Sequence, residues 1–148
     1  MVLDRMQAAD IDAVYEIERS CFDFEAWSHE SLADELTNPY AFYWVCRHEN
    51  RIVGYGGLHN NLGEGYITNI AVSDSFRRMG VGRCLLQEML AFARESHLAF
   101  ISLEVRESNA PAIALYQSFG FENVGLRKGF YQKPTENALI MTLIIADI

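Results

Sequence analysis

The sequence predicts a mixed α/β fold, with helices on both faces of one sheet. Three observations predict it. Four segments carry apolar residues at helical spacing, and seven short runs read as strands. The runs in the first half are joined by links too short for anything but antiparallel pairing. The segment Tyr66–Arg106 reads strand, helix, strand, which predicts a parallel, right-handed crossover. The order is β-α-α-β-β-β-α-β-α-β-β.

Each element has its own signal. Met1 to Arg5 reads as a short first strand. Ile11, Val14, Ile17 and Cys21 then recur as one helical stripe. An aromatic loop, Phe22–Trp27, follows. Ser28 is a good N-cap for a second helix, and Trp27 with Leu32 has the spacing of a hydrophobic staple. Asn38 before Pro39 stops that helix near Thr37. Strands are expected at Ala41–His48, Ile52–His59 and Gly65–Val72, with turns at Asn50-Arg51 and at Asn60-Asn61-Leu62-Gly63. From Val81 the period is helical: Val81, Leu85, Met89 and Ala93 form a stripe that Leu86, Leu90 and Phe92 widen. A strand follows at Phe100–Arg106. Asn109 or Ser108 caps a last helix with Pro111 in its first turn, and Gly120 ends it. Strands at about Asn123–Tyr131 and Ala138–Ile145 close the chain.

The chain has 148 residues, read as one domain over 1–148. Half of them are hydrophobic and 22% are charged, which is ordinary for a globular protein. The net charge of −8 argues against a general nucleic-acid binder. An anionic ligand remains compatible, because Arg77, Arg78 and Arg83 cluster in one turn region. No apolar run approaches a membrane span of about 18–20 residues. The opening Met1-Val2-Leu3-Asp4-Arg5, with Asp10 and Asp12 close behind, does not read as a secretory signal. The expectation is a cytoplasmic protein without a membrane partner. Cys21, Cys46 and Cys84 have no C-x-x-C spacing and are expected as reduced, buried thiols. His29, His48, His59 and His97 form no metal spacing, so no metal is expected.

Arg77-Arg78-Met79-Gly80-Val81-Gly82-Arg83 lies between a strand and a strong amphipathic helix. A helix start offers unpaired N–H groups and the positive end of the dipole. Gly80 and Gly82 remove side chains where a phosphate would approach, and the arginines add charge. A Walker loop would need Lys-Ser/Thr where Arg83-Cys84 stand, and the dinucleotide fingerprint needs three spaced glycines. The plain alternative is a glycine turn that lets helix and strand pack.

The R-x-x-G-x-G run, after a strand ending Asn69-Ile70-Ala71-Val72, closely resembles the coenzyme A motif of the GNAT acetyltransferase superfamily. The element order matches that fold along essentially the whole chain. A second block, Leu103-Glu104-Val105-Arg106-x-Ser108-Asn109 continuing to Leu115-Tyr116 and Gly120-Phe121, is similar to the ribosomal-protein-alanine N-acetyltransferase family. The resemblance implies acetyl-CoA as co-substrate. It implies that Ile70, Ala71 and Val72 hold the pantetheine arm in a gap between splayed strands. It also implies that Arg77 to Arg83 wrap the pyrophosphate, and that Asn109 contacts the coenzyme besides capping its helix.

The implied chemistry is acyl transfer from a thioester to a neutral amine. A lysine amine of pKa about 10.4 is neutral about once in a few thousand molecules at pH 7, an α-amine roughly once in seven. An N-terminal acceptor therefore needs only modest base help. Glu104 is placed for it, because Ile101, Leu103 and Val105 alternate away from it along their strand. Partial desolvation near Phe100 would raise its pKa toward that of a working base; the alternative is a solvated charge near Arg106. The resemblance favours Glu104 as base, directly or through water, and makes Tyr116 the general acid. Helical spacing from Ile113 and Phe119 also allows Tyr116 as a core aromatic. A backbone N–H, that of Val72, is expected at the oxyanion.

The family usually carries two tyrosines and then an acid before the last strand. Phe130 stands at the first aromatic and Asn137 at the acid, a departure that bears on the peptide groove. Tyr131 and Trp27 are the expected acceptor contacts; surface packing is the alternative for Tyr131. Three functions follow. The chain acetylates a protein N-terminus, such as a ribosomal protein beginning with alanine. Or it acetylates a small amine, a polyamine or aminoglycoside, with Glu25 and Glu136 as the available acids. Or it binds acyl-CoA without catalysis, which the joint presence of Glu104 and Tyr116 speaks against.

Overall fold

The computed structural model describes residues 1–22 and 25–145. Its elements are β1 (Val2–Arg5), α1 (Ile11–Phe22), α2 (His29–Thr37), β2 (Ala41–His48), β3 (Arg51–Asn61), β4 (Glu64–Val72), α3 (Val81–Glu95), β5 (Phe100–Arg106), α4 (Ala110–Ser118), β6 (Glu122–Tyr131) and β7 (Glu136–Ile144). The strands form one seven-stranded sheet in the order β1-β2-β3-β4-β5-β7-β6. All pairings are antiparallel except β4 with β5, the parallel crossover around α3.

Side-chain alternation builds a core on each face of the sheet. In β2, Tyr43 and Val45 join one cluster while Trp44 and Cys46 join the other. Val14 and Ile17 of α1 and Leu32 of α2 cover the first. The expected α3 stripe of Val81, Leu85, Met89 and Ala93 covers the second, with Leu86, Leu90 and Tyr116 of α4. α3 lies close on β3: a Cβ at Gly54 would meet Val81 Cγ1 at 2.6 Å, and one at Gly56 would meet Met89 Sδ at 2.9 Å. Leu85 is fully buried there. Leu85→Ala should cost about 2–5 kcal/mol, read as a lower urea midpoint at unchanged slope.

Caps and turns follow from composition, with corrections. Ser28 Oγ accepts from Ser31 N at 3.1 Å, and Asn109 rather than Ser108 caps α4 through Ala112 N at 3.3 Å. Gly120, at φ +97°, ends the α4 turn. The first hairpin turns at Glu49-Asn50, not Asn50-Arg51. Both residues have positive φ, 50° and 63°, and Arg51 already pairs with His48. The second turns at Leu62-Gly63 alone, because Asn60 and Asn61 stay in β3 opposite Gly65 and Glu64. Of the three free cysteines only Cys46 is fully buried; Cys21 and Cys84 are partly exposed. Among the described residues, no helix is long and apolar enough to cross a membrane.

β4 and β5 pair over three residues only, Glu64–Tyr66 with Phe100–Ser102. Beyond Tyr66 they part. A register shift in the β3–β4 pairing at Gly57/Leu58 accompanies the parting.

Candidate active site

The opening between β4 and β5 leads into a cavity of about 450 Å³. β4 supplies one wall. Ser73 N–H bonds Val53 O at 2.8 Å, and Ala71 stands opposite Tyr55. By the two-residue alternation of an antiparallel ladder, the peptide groups of Ala71 face β3, while those of Ile70 and Val72 face the gap. Cys21 Sγ, 3.3 Å from Val72 O, marks that side. β5 supplies the other wall, and Glu104 projects from it into the cavity. Its side chain is only 10% exposed. Tyr66 donates to Glu104 Oε1 at 2.5 Å, and Arg127 Nε lies 3.8 Å from Oε2. Burial first, and then the Glu104 carboxylate, push the Tyr66 phenol well above its ordinary pKa.

Tyr116 and Asn109 line the same cavity from α4. Tyr116 is nearly fully buried, 8% exposed, and stacks at a tilt on Phe121 at 5.7 Å. Burial pushes its phenol far above the usual range, so it stays protonated throughout the neutral range. Trp27, Phe130 and Tyr131 line the outer part. Asp23 and Phe24 of the aromatic loop lie outside the described residues.

At the other end of the gap the chain prepares a helix start. Cys84 N–H makes the first bond of α3, to Gly80 O at 3.0 Å. The N–H groups of Val81, Gly82 and Arg83 precede that ladder. Gly80 caps the helix at φ +82°, and a Cβ built on it meets nothing within 4 Å. Its glycine therefore serves backbone conformation rather than space. Arg78 also has positive φ, 64°, an uncommon cost of about 1–2 kcal/mol for a side-chain-bearing residue. The turn is solvent-exposed except at Gly82, which is partly buried, and at Val81, whose side chain is in the core. Arg77 pairs with Asp74 at 3.0 Å, and Arg83 bonds Ser118 Oγ at 3.2 Å while lying over Phe119. Arg78 makes no ion pair among the described residues, so its charge is uncommitted. Ala71, Val72 and the turn residues lie beyond the cavity lining, at the end of β4, where a Cβ on Gly82 would come within 3.9 Å of Val72 Cγ2. An N–H-rich turn with two glycines and a free guanidinium fits a pyrophosphate there.

Three features of the cavity join residues far apart in the chain. Arg106 gathers Glu25 Oε1 at 2.7 Å and Glu136 Oε1 at 3.2 Å, and lies 4.4 Å from the Tyr131 ring centroid. Glu136 Oε2 also accepts from Ser108 N at 2.6 Å, and these bonds hold its carboxyl below the usual range. Burial, then the charges of Glu104 and Glu25, push Tyr131 up to about 12. The second feature is the Tyr66–Glu104 pair. The third is Glu18, a buried carboxylate of α1 facing Tyr55, Asn69 and Trp27. Its one sequence signal was a position four residues after Val14, on the apolar stripe. Among the described residues no group of three or more His, Cys, Asp or Glu is placed to hold a metal.

A model of the acetyltransferase (GNAT) family matches residues 11–121. The chain belongs to that family. It is an acetyl-CoA-dependent N-acetyltransferase. A Bacillus subtilis protein named putative ribosomal protein bS18-alanine N-acetyltransferase is 40% identical over 143 residues, 96% of this chain and 94% of that one. The Escherichia coli K12 protein named ribosomal protein bS18-alanine N-acetyltransferase is 32% identical over 148 residues, 97% of each chain. The crystal structure of the ribosomal-protein-S18-alanine N-acetyltransferase from Escherichia coli superposes with a TM-score of 0.90 at 30% identity, over 99% of this chain and 95% of that one. In this GNAT family member the mixed sheet and the helices on both faces match the sequence expectation.

Proposed function

We propose that this acetyltransferase modifies the N-terminal α-amine of a protein, in the cytoplasm, with a ribosomal protein beginning with alanine as the leading acceptor. The names of the Bacillus subtilis and Escherichia coli relatives support that acceptor. One observation carries the choice over a polyamine or aminoglycoside. A polycationic amine needs free carboxylates for each of its charges, and Arg106 already neutralises Glu25 and Glu136 at the mouth, leaving Glu104 and Glu18 for a single amine.

Acetyl-CoA supplies the acetyl group as a thioester. Ile70 and Val72 offer their peptide groups to its pantetheine arm, with Ala71 holding the strand between them. Arg78, Met79, Gly80, Val81, Gly82 and Arg83 surround the pyrophosphate, and Arg77 braces the turn. Asn109 contacts the coenzyme beside α4. Glu104 takes the proton of the incoming amine, directly or through water. The Val72 N–H stabilises the developing oxyanion. Tyr116, protonated throughout, donates a hydrogen bond to the leaving sulfur. A thiol of pKa about 8.5 is more acidic than this phenol, so Tyr116 stabilises charge more than it surrenders a proton. Trp27 and Tyr131 border the acceptor.

Tyr116→Phe should lower kcat about tenfold to hundredfold, the loss of one hydrogen bond to a charged group. Unchanged turnover would remove Tyr116 from the mechanism. Arg106→Met should raise the peptide KM several-fold and leave the acetyl-CoA KM alone, because it frees Glu25, Glu136 and Tyr131 together. The acceptor itself is tested by incubating purified ribosomal proteins with acetyl-CoA and locating the mass gain. Acetyl on an α-amine supports the reading; acetyl confined to lysine side chains contradicts it.

A further inference from the structure

Asn69 stands on β4 just after the register shift, and it is 7% exposed. Its Nδ2 donates to Glu18 Oε1 at 3.2 Å. Its Oδ1 is buried and has no hydrogen-bond partner among the described residues. The amide cannot relieve this by turning over, since that would set its oxygen against a carboxylate oxygen. Glu18 therefore holds Asn69 with Oδ1 unpaired, and both residues line the cavity. An unsatisfied buried acceptor is destabilising, so its retention calls for a donor brought from outside.

The charge state of that donor is also marked. Glu18 is 1% exposed and lines the cavity with Asn69. It accepts from the Tyr55 hydroxyl and from Trp27 N at 2.9 Å. It takes part in none of the ion pairs seen among the described residues. A buried carboxylate is normally paired. Burial pushes the Glu18 carboxyl above its ordinary pKa, against the hydrogen bonds from Tyr55, Trp27 and Asn69. An acceptor oxygen backed by this carboxyl beside the cavity is therefore complementary to a cationic N–H donor, which would favour the ionised form. The amine to be acetylated is such a group, because an α-amine is charged in roughly six of seven molecules at pH 7.

We propose that Asn69 Oδ1 and the Glu18 carboxylate behind it form the subsite that receives the acceptor as its ammonium form, across the β4–β5 gap from Glu104. Asn69 touches the acceptor, and Glu18 positions Asn69 and supplies the field. The ammonium docks there and then loses its proton toward Glu104. The subsite rests on the amine-acetyltransferase activity and deepens the N-terminal reading.

The test compares two unreactive inhibitors built on the best peptide acceptor. One has an N-terminal dimethylamine, which keeps the charge and one N–H. The other lacks the amine. The dimethylammonium peptide should bind at least about tenfold more tightly to the wild type, the worth of one charge-assisted hydrogen bond. In Asn69→Ala that ratio should shrink about tenfold, and the acceptor KM should rise by a similar factor. The acetyl-CoA KM should hold, with melting temperature confirming a folded variant. Equal inhibition of the wild type by the two peptides overturns the subsite without any variant. A raised acetyl-CoA KM at unchanged acceptor KM overturns it too, by assigning Asn69 to the coenzyme. If no peptide is turned over but a small amine is, the N-terminal reading fails separately. The subsite is then judged on that amine against its uncharged hydroxyl analogue, with the same ratio expected and equality overturning it.

Discussion

Glu104→Gln is expected to lower kcat by about 10²–10⁴-fold at an unchanged KM for acetyl-CoA. Glutamine keeps the shape and can still accept from the Tyr66 hydroxyl, so the wall of β5 should remain in place. What it loses is the capacity to take a proton. The deficit should narrow as pH rises through the α-amine pKa near about 7.8, because the fraction of amine needing a base then falls. Steady-state kinetics across pH 6.5–9 would measure both features. A variant that loses coenzyme affinity instead would make Glu104 a structural residue of the gap.

Gly82→Asp is expected to abolish measurable coenzyme binding while leaving the fold intact or slightly firmer. A Cβ at Gly82 meets Leu115 Cδ2 at 3.4 Å and Val72 Cγ2 at 3.9 Å, ordinary contacts. Its φ lies outside the left-handed region, unlike that of Gly80. Aspartate in the first turn of α3 complements the helix dipole, worth about 0.3–1 kcal/mol, and removes glycine's entropic penalty. The same charge about 4 Å from a pyrophosphate oxygen costs roughly 4 kcal/mol per unit pair near a protein surface, which is about a thousandfold in affinity. Calorimetric titration with coenzyme A and a melting curve separate the two effects. Near-normal binding would contradict the pyrophosphate assignment.

Much of the fold was legible because its signals are local. The stripe of α3 and the alternation of β5 were visible within windows of seven to fifteen residues. So were the cap at Ser28 and the choice of Asn109 or Ser108 for the last helix, which the structure settles on Asn109. The glycine turn before α3, proposed for the coenzyme, was legible for the same reason, since R-x-x-G-x-G is one contiguous run. The contacts of the cavity mouth were not. Arg106 meets Glu25 across 81 residues and Glu136 across 30, and Tyr66 meets Glu104 across 38. The β4–β5 register brings Tyr66 to Glu104, and the β5–β7 ladder, which pairs Arg106 with Ala138, brings Glu136 to Arg106. Glu18 was hidden for another reason. A carboxylate on an apolar stripe reads as a surface charge unless the hydroxyl and amide that satisfy it are seen, and they come from β3 and β4. Turn boundaries shifted by one residue at Glu49 and by two at Leu62, because positive φ there does not follow from residue type.

The most direct test of the account is acetyl transfer from acetyl-CoA, followed by thiol release, to a matched panel of acceptors. The panel holds peptides beginning with alanine, serine and methionine, an N-blocked peptide with one lysine, and polyamines. The account predicts turnover on free peptide N-termini, best on alanine, with the blocked lysine peptide and the polyamines near background. Turnover confined to the polyamines or the lysine side chain would contradict it, and would show that the Arg106 cluster does not set the acceptor.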